Sequence, residues 1–176
     1  MPTRKPGTPP KELRVYVAAS FRHKHGVRLL CARLRELGWT VLDWTEKAVP
    51  PPGLTPLERR QWMDTDTDGG QVYAFCRDAC LGADLVIYYG ASGQDAGVEV
   101  GLAAAAGVPV LGLRGPLEGP GLMVHGAVSA WADSAEALLD VVTKLGDFAR
   151  GGDLPDVRED PAAHAVCQAY RRRCGH

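Results

Sequence analysis

The stretch ADLVIYYGASGQDAGVEVGLAAAAGVPVLGL, residues 83–113, decides how the chain folds. Its first part is a continuous apolar run rich in β-branched and aromatic residues. It has no polar alternation, as expected of a strand buried on both faces. Gly90-Ala91-Ser92-Gly93 breaks the run with small residues that let a ligand approach the backbone. A helix is predicted over 95–106, closed by Gly107, and VPVLGL (108–113) is a second apolar strand. Strand, helix and strand in this order form a crossover unit with parallel pairing.

The same alternation extends outward. RVYVAAS gives a strand over about 14–19. Val27, Leu30, Cys31, Leu34 and Leu37 recur at helical steps within 22–37, before Gly38. WTVLDW (39–44) is a further strand. Pro50-Pro51-Pro52-Gly53 excludes helix and central strand, and Thr55-Pro56-Leu57-Glu58 has the form of a capping box. A helix over 71–82 leads into the opening stretch. AVSAW (127–131) offers a fifth strand, and Asp133-Ser134-Ala135-Glu136 starts a last core helix to about 146. The expected fold is therefore α/β, a five-stranded parallel sheet between helices. Residues 1–12, with four prolines, read as a flexible tail. Residues 13–146 form the domain, and 147–176 are a C-terminal extension with one exposed helix over 161–172.

Composition narrows the function classes. The 176 residues are 45% hydrophobic and 23% charged, with a formal net charge of -1. A nucleic-acid polymer is not the expected partner, because its binders carry a strongly basic footprint. The first apolar run, Val15 to Ala19, is too short for a secretory signal, and no run approaches the ~20 residues of a membrane span. Five cysteines without a framework spacing suit reduced thiols in a cytoplasmic protein.

Ligands of open parallel sheets bind beyond the carboxyl ends of the strands. That rule gathers Ser20, Phe21, Arg22 and His23, Asp43 and Trp44, and Tyr88 to Asp95, including Tyr89, Ser92 and Gly93, around one crevice. Glu99 lies one turn into the helix beyond the small-residue loop. It fits either a partly desolvated nucleophile or base, or a carboxylate that complements the helix dipole. Ser20 fits either a ligand contact at a helix N-terminus or a plain N-cap, and Arg22 and His23 either a phosphate contact or a solvated face. Trp44, Trp62 and Tyr89 are candidates to stack on a base or to pack. Asp84 opens its strand at the end opposite the crevice and reads as structural. Asp64, Asp66 and Asp68 resemble a calcium loop that lacks its closing Glu, since position 75 is Phe. His164, Cys167, Cys174 and His176 match no closed zinc pattern. Cys76 and Cys80, one turn apart, read as buried small hydrophobes.

Taken together, VYVAASF, Ala83-Asp84, Ser92-Gly93, Glu99, Gly101, Gly107, Pro109 and GPGLMVHGAVSAW resemble the nucleoside 2-deoxyribosyltransferase family over about residues 13–145. The resemblance implies a flavodoxin-like sheet and N-glycosidic bond chemistry on a small nucleoside or nucleotide. Glu99 would attack the anomeric carbon, with transfer to another base or to water. It implies no cofactor, a Tyr16 near the pocket, and a homodimer or dimer of dimers in which Met123 and His125 reach a neighbour's pocket. Two departures stand out. The family's base-binding Asp falls on Cys76, with Asp78 two residues later as the substitute catalytic carboxylate. The loop before Glu99 is also shorter, so that Asp95 stands four residues ahead of it. Two alternatives use the same fold elements: a non-catalytic nucleotide-binding module, and an NAD-cleaving enzyme of the TIR type.

Overall fold

A computed structural model describes residues 12–64, 68–115, 119 and 121–175. Five strands, β1 (Arg14–Ala18), β2 (Thr40–Leu42), β3 (Leu85–Tyr89), β4 (Val110–Leu113) and β5 (Ala130–Ala132), pair in parallel in the order β2-β1-β3-β4-β5. This is the flavodoxin-like, five-stranded parallel sheet that the sequence led us to expect. The strand order reverses direction between β1 and β3, so the crevice of such sheets opens beyond Ala18 and Tyr89. The register sets Tyr16 opposite Val86 and Ala18 opposite Tyr88. Val15, Val17, Leu85, Val86, Ile87, Val110 and Leu111 are fully or almost fully buried, as uninterrupted apolar strands require.

The helices are α1 (Lys24–Glu36), α2 (Pro56–Asp64), α3 (Asp68–Gly82), α4 (Gln94–Ala105), α5 (Leu122–Ala127), α6 (Ala135–Ala149) and α7 (Pro161–Cys174). α1 turns Val27, Leu30, Cys31 and Leu34 into the core and ends at Gly38, whose φ of 80° suits glycine. The capping box is formed: the Thr55 amide donates to Glu58 Oε2 at 2.8 Å, and the Glu58 amide donates to Thr55 Oγ1 at 3.3 Å. Ser134 caps α6 by accepting from the Ala137 amide at 3.1 Å. No helix among the described residues is long and apolar enough to cross a membrane.

Two expectations are corrected. The GPGLMVHGAVSAW segment contains the six-residue helix α5, and β5 starts only at Ala130. Flanking glycines hide this helix from propensity; it is held by packing on α4, with Val124 facing Gly97. The C-terminal helix is present but not exposed. Ala163, Val166, Cys167 and Tyr170 of α7 are buried, and Tyr170 meets Phe148 of α6 edge to face at 6.5 Å. Asp160 caps α7 through the Ala163 amide at 2.8 Å, and Arg173 ties its far end to the carbonyl of Leu81 at 2.9 Å. Its buried face sets the small residues Ala163, Cys167 and Ala169 beside Val166 and Tyr170.

Candidate active site

Tyr16 sits mid-strand in β1, and its side chain crosses towards α4. Its hydroxyl donates to Glu99 Oε1 at 2.6 Å. The other carboxylate oxygen, Oε2, is buried with no hydrogen-bond partner among the described residues. Half-buried Cys76 of α3 is electrostatically coupled to both Tyr16 and Glu99. Three elements thus converge on one carboxylate.

Burial shifts all three groups toward their neutral forms. Desolvation, with a smaller contribution from Asp95, raises Glu99 from 4.5 to about 7; the hydrogen bonds from Tyr16 and Cys76 pull the other way. Desolvation pushes the Cys76 thiol up to about 11, and burial followed by the Glu99 charge drives the Tyr16 phenol far above its usual range. Near neutral pH, Tyr16 is therefore a donor, Cys76 a thiol, and Glu99 balanced between acid and carboxylate. Such balance suits a nucleophile or base. Replacing Tyr16 by Phe should raise the Glu99 pKa by about one unit, since a donor to the ionised form is lost. Infrared titration of the buried carboxyl, with Glu99→Gln as the blank, reads this directly; an unmoved titration would contradict the Tyr16–Glu99 bond.

The loops beyond β1 and β3 are fastened together over the crevice. The Ser20 amide donates to Ser92 Oγ at 2.9 Å, the Ser92 hydroxyl donates to the Tyr89 carbonyl, and the Ser92 amide donates to the Tyr88 hydroxyl at 3.3 Å. The Arg22 guanidinium and His23 Nε2, the latter at 2.8 Å, both meet the Ala91 carbonyl. Ser20 occupies the N-cap position of the short 3₁₀ turn at Phe21–His23, but its side chain makes no capping bond there. Asp43 does cap the matching turn at Trp44–Glu46, its carboxylate accepting from the Thr45 amide at 2.9 Å.

The aromatic candidates divide. Trp44 is buried and its indole donates to the Val17 carbonyl at 2.9 Å, so it packs rather than offering an open face. Phe21 leans on it at 5.9 Å and is 44% exposed, leaving its ring at the crevice mouth. Tyr89 packs against His23 at 5.4 Å and covers Gly26. A cleft of about 390 Å³ is lined by Trp62 and Phe75 with Lys47 and Gln71 at its polar side. Glu99 is not among its lining residues, although Phe75 directly precedes Cys76.

Other candidates are not brought to Glu99. Asp78 is exposed and pairs with Arg77 at 2.8 Å, because two residues along α3 rotate it away from the face that carries Cys76 and Cys80. Met123 is 87% exposed, and His125 stacks on Trp131 of its own chain. Gly93 caps α4 and Asp95 lies exposed in its first turn, close enough to influence Glu99. Asp84 accepts from the Arg14 amide at 2.9 Å, the structural role expected at that strand end. Asp66 and His176 lie outside the described residues, as do the side chains of Asp64 and Asp68. His164 instead bonds the Pro155 carbonyl at 2.7 Å.

Neither a family model nor a curated protein matches the sequence. Solved structures do. A 2-deoxyribosyltransferase from Bacillus psychrosaccharolyticus aligns over 71% of this chain and 89% of its own, with 20% identity and a TM-score of 0.52. The chain shares that enzyme's fold. A CMP N-glycosidase from Clostridium botulinum aligns over 73% of this chain and 97% of its own, with 19% identity and a TM-score of 0.48.

Of the residues singled out in the sequence, the structure brings Tyr16 and Glu99 together and leaves Asp78, offered as the substitute carboxylate, on the surface. The i, i+4 spacing of Cys76 and Cys80 was the available signal, since it places one apolar face of α3, and Cys76 with it, toward the sheet.

Proposed function

We propose that the chain is an enzyme that cleaves or transfers the N-glycosidic bond of a nucleoside or nucleotide, with Glu99 as the nucleophile. The observation that carries this reading is a half-buried glutamate at the carboxyl end of the sheet's switch point, with one oxygen held by Tyr16 and the other without a hydrogen-bond partner among the described residues. The shared fold with a 2-deoxyribosyltransferase is consistent with it.

The proposed chemistry balances in two steps. A Glu99 carboxylate oxygen attacks the anomeric carbon, a C–O bond forms, and the C–N bond breaks with its electron pair leaving on the base, which takes up a proton from solvent; the water or second base of the next step returns one to solvent. Water or a second base then attacks the same carbon, and the glutamate leaves as a carboxylate. Tyr16 keeps the carboxylate oriented through both steps, and the transition state develops oxocarbenium character that a nearby anion stabilises. Ser20, Ser92 and the Arg22–His23 turn would position the sugar and, in a nucleotide, its phosphate. Phe21 would offer its exposed face to the base. The exposed Leu122 and Met123 of α5, 91% and 87% accessible, fit burial in a homodimer; sedimentation showing only monomer at micromolar concentration would remove that part.

Incubation with ribo- and deoxyribonucleosides, their 5′-phosphates and NAD, followed by chromatography for free base or exchanged base, tests the reading. Turnover of at least one nucleoside or nucleotide is expected. Because Glu99 must be ionised to attack, kcat/KM should rise with pH through about 7. Binding of several panel members without turnover would instead favour a binding module, and nicotinamide release from NAD alone would favour the TIR-type reaction.

A further inference from the structure

We propose that the cleft lined by Trp62, Phe75, Lys47 and Gln71 seats the base of the substrate, and that Lys47 makes it select bases with an oxo group over those with an amino group in the same place. The inference rests on the glycosidic reading of Glu99 and extends it to the identity of the base.

The cleft has a volume of about 390 Å³. That lies at the small end of the range of roughly 300–1,000 Å³ for small-molecule sites, and suits one planar heterocycle. Trp62 of α2 and Phe75 of α3, both half-buried, supply aromatic surface, and Val49 and Val72 add aliphatic sides. Such surfaces hold a base by its faces and do not tell one base from another. Discrimination falls to Lys47 and Gln71. The Lys47 ammonium lies 5.7 Å from the centroid of the Phe75 ring, so a planar ring seated against Phe75 brings its edge to this cation. Lysine offers three donors and no acceptor, whereas the glutamine amide offers both. An oxo group at the ring edge accepts from Lys47. An amino group in its place is a second donor, left unpaired in front of a positive charge.

The cleft is placed to take the departing half of the substrate. The reacting carbon must meet Glu99, and Glu99 does not line the cleft, so the base and not the sugar belongs there. Val72 and Phe75 line it from α3, the helix that packs on both β1 and α4, which carry Tyr16 and Glu99. On the other side, Phe21 at the crevice mouth leans on Trp44, and the turn that Trp44 opens ends at Lys47.

Free bases test the cleft without any need for turnover. Equilibrium dialysis of the whole chain compares hypoxanthine with adenine and uracil with cytosine, two pairs that differ by oxo against amino at the ring edge. In at least one pair the oxo base should bind about tenfold tighter or more. Lys47→Met should bring its affinity down to that of the amino base, and Lys47→Arg, which keeps the donors, should preserve the preference. Trp62→Leu should weaken both members of the pair, which places them in the cleft. Equal affinities within both pairs, a preference that survives Lys47→Met, binding indifferent to Trp62→Leu, or no binding of any of the four at millimolar concentration would overturn the assignment. Where turnover is found, kcat/KM for nucleosides of the same bases should show the same preference and lose it in Lys47→Met. Oxo-selective binding without turnover of any nucleoside or nucleotide would overturn the glycosidic reading and leave the base site standing. Turnover without oxo selectivity would overturn the base site alone.

Discussion

Glu99→Gln is expected to abolish turnover, by at least about a thousandfold, and at the same time to stabilise the protein at pH 8. The loss follows because an amide oxygen cannot form and release a glycosyl ester. The gain follows from linkage. The Glu99 pKa is raised in the folded chain, from 4.5 to about 7, so the folded state holds this proton more tightly than the unfolded one. Stability is then fully present below about pH 4.5 and is lost as pH rises through about 7. Above that, the ionised buried carboxylate costs roughly 3 kcal/mol. Glutamine carries no charge and still accepts from Tyr16. Urea unfolding at pH 8 should show the variant more stable than the parent, and at pH 4.5 the two should nearly coincide. A less stable variant at pH 8 would mean that Glu99 is a dipole-complementing or structural carboxylate.

Gly112→Ala should destabilise the chain by about 2–3 kcal/mol, equivalent to several degrees in Tm. A Cβ at Gly112 in β4 would lie 2.6 Å from Trp131 Cζ3 and 2.9 Å from Cδ2. The indole has little room to retreat. Tyr88 meets it edge to face at 5.9 Å, His125 stacks on it at 6.1 Å, and the Arg114 guanidinium lies 4.8 Å from its centroid while pairing with Asp133 at 3.1 Å. Tyr88 also accepts from the Ser92 amide, so the disturbance should spread to the loop over the crevice. Thermal unfolding with near-ultraviolet circular dichroism checks this. Trp131→Leu should recover most of the loss in the double variant. A Gly112→Ala protein as stable as the parent would show that the ring moves freely.

The fold was legible because the chain repeats one strong signal. Leu85–Tyr89 and Val110–Leu113 are uninterrupted apolar strands, and Gly38 and Gly107 stop the helices that follow β1 and β3. What remained hidden had weak or conflicting local signals. α5 is framed by glycines and relies on contact with α4. α7 buries a face that mixes small residues with Val166 and Tyr170, and its Arg173 reaches across sequence to the end of α3. The site was half legible for the same reason. Glu99 stands just over one turn into a helix beyond a small-residue loop, a local pattern. Its partner Tyr16 is 83 positions away in sequence, and only the fold brings the two together. Asp78 shows the limit of matching residue types by proximity in sequence: a shift of two along α3 turns a pocket position into a solvent-facing one.

The central claim, that Glu99 forms a covalent bond to a sugar, is tested most directly by trapping. The protein is incubated with a nucleoside bearing fluorine at the 2′ position, which slows breakdown of a glycosyl ester by disfavouring the oxocarbenium-like transition state. Intact mass should rise by one fluorinated sugar, peptide mapping should place it on Glu99, and Glu99→Gln should stay unlabelled. Turnover of the natural nucleoside with no adduct, or an adduct on any other residue, would contradict it.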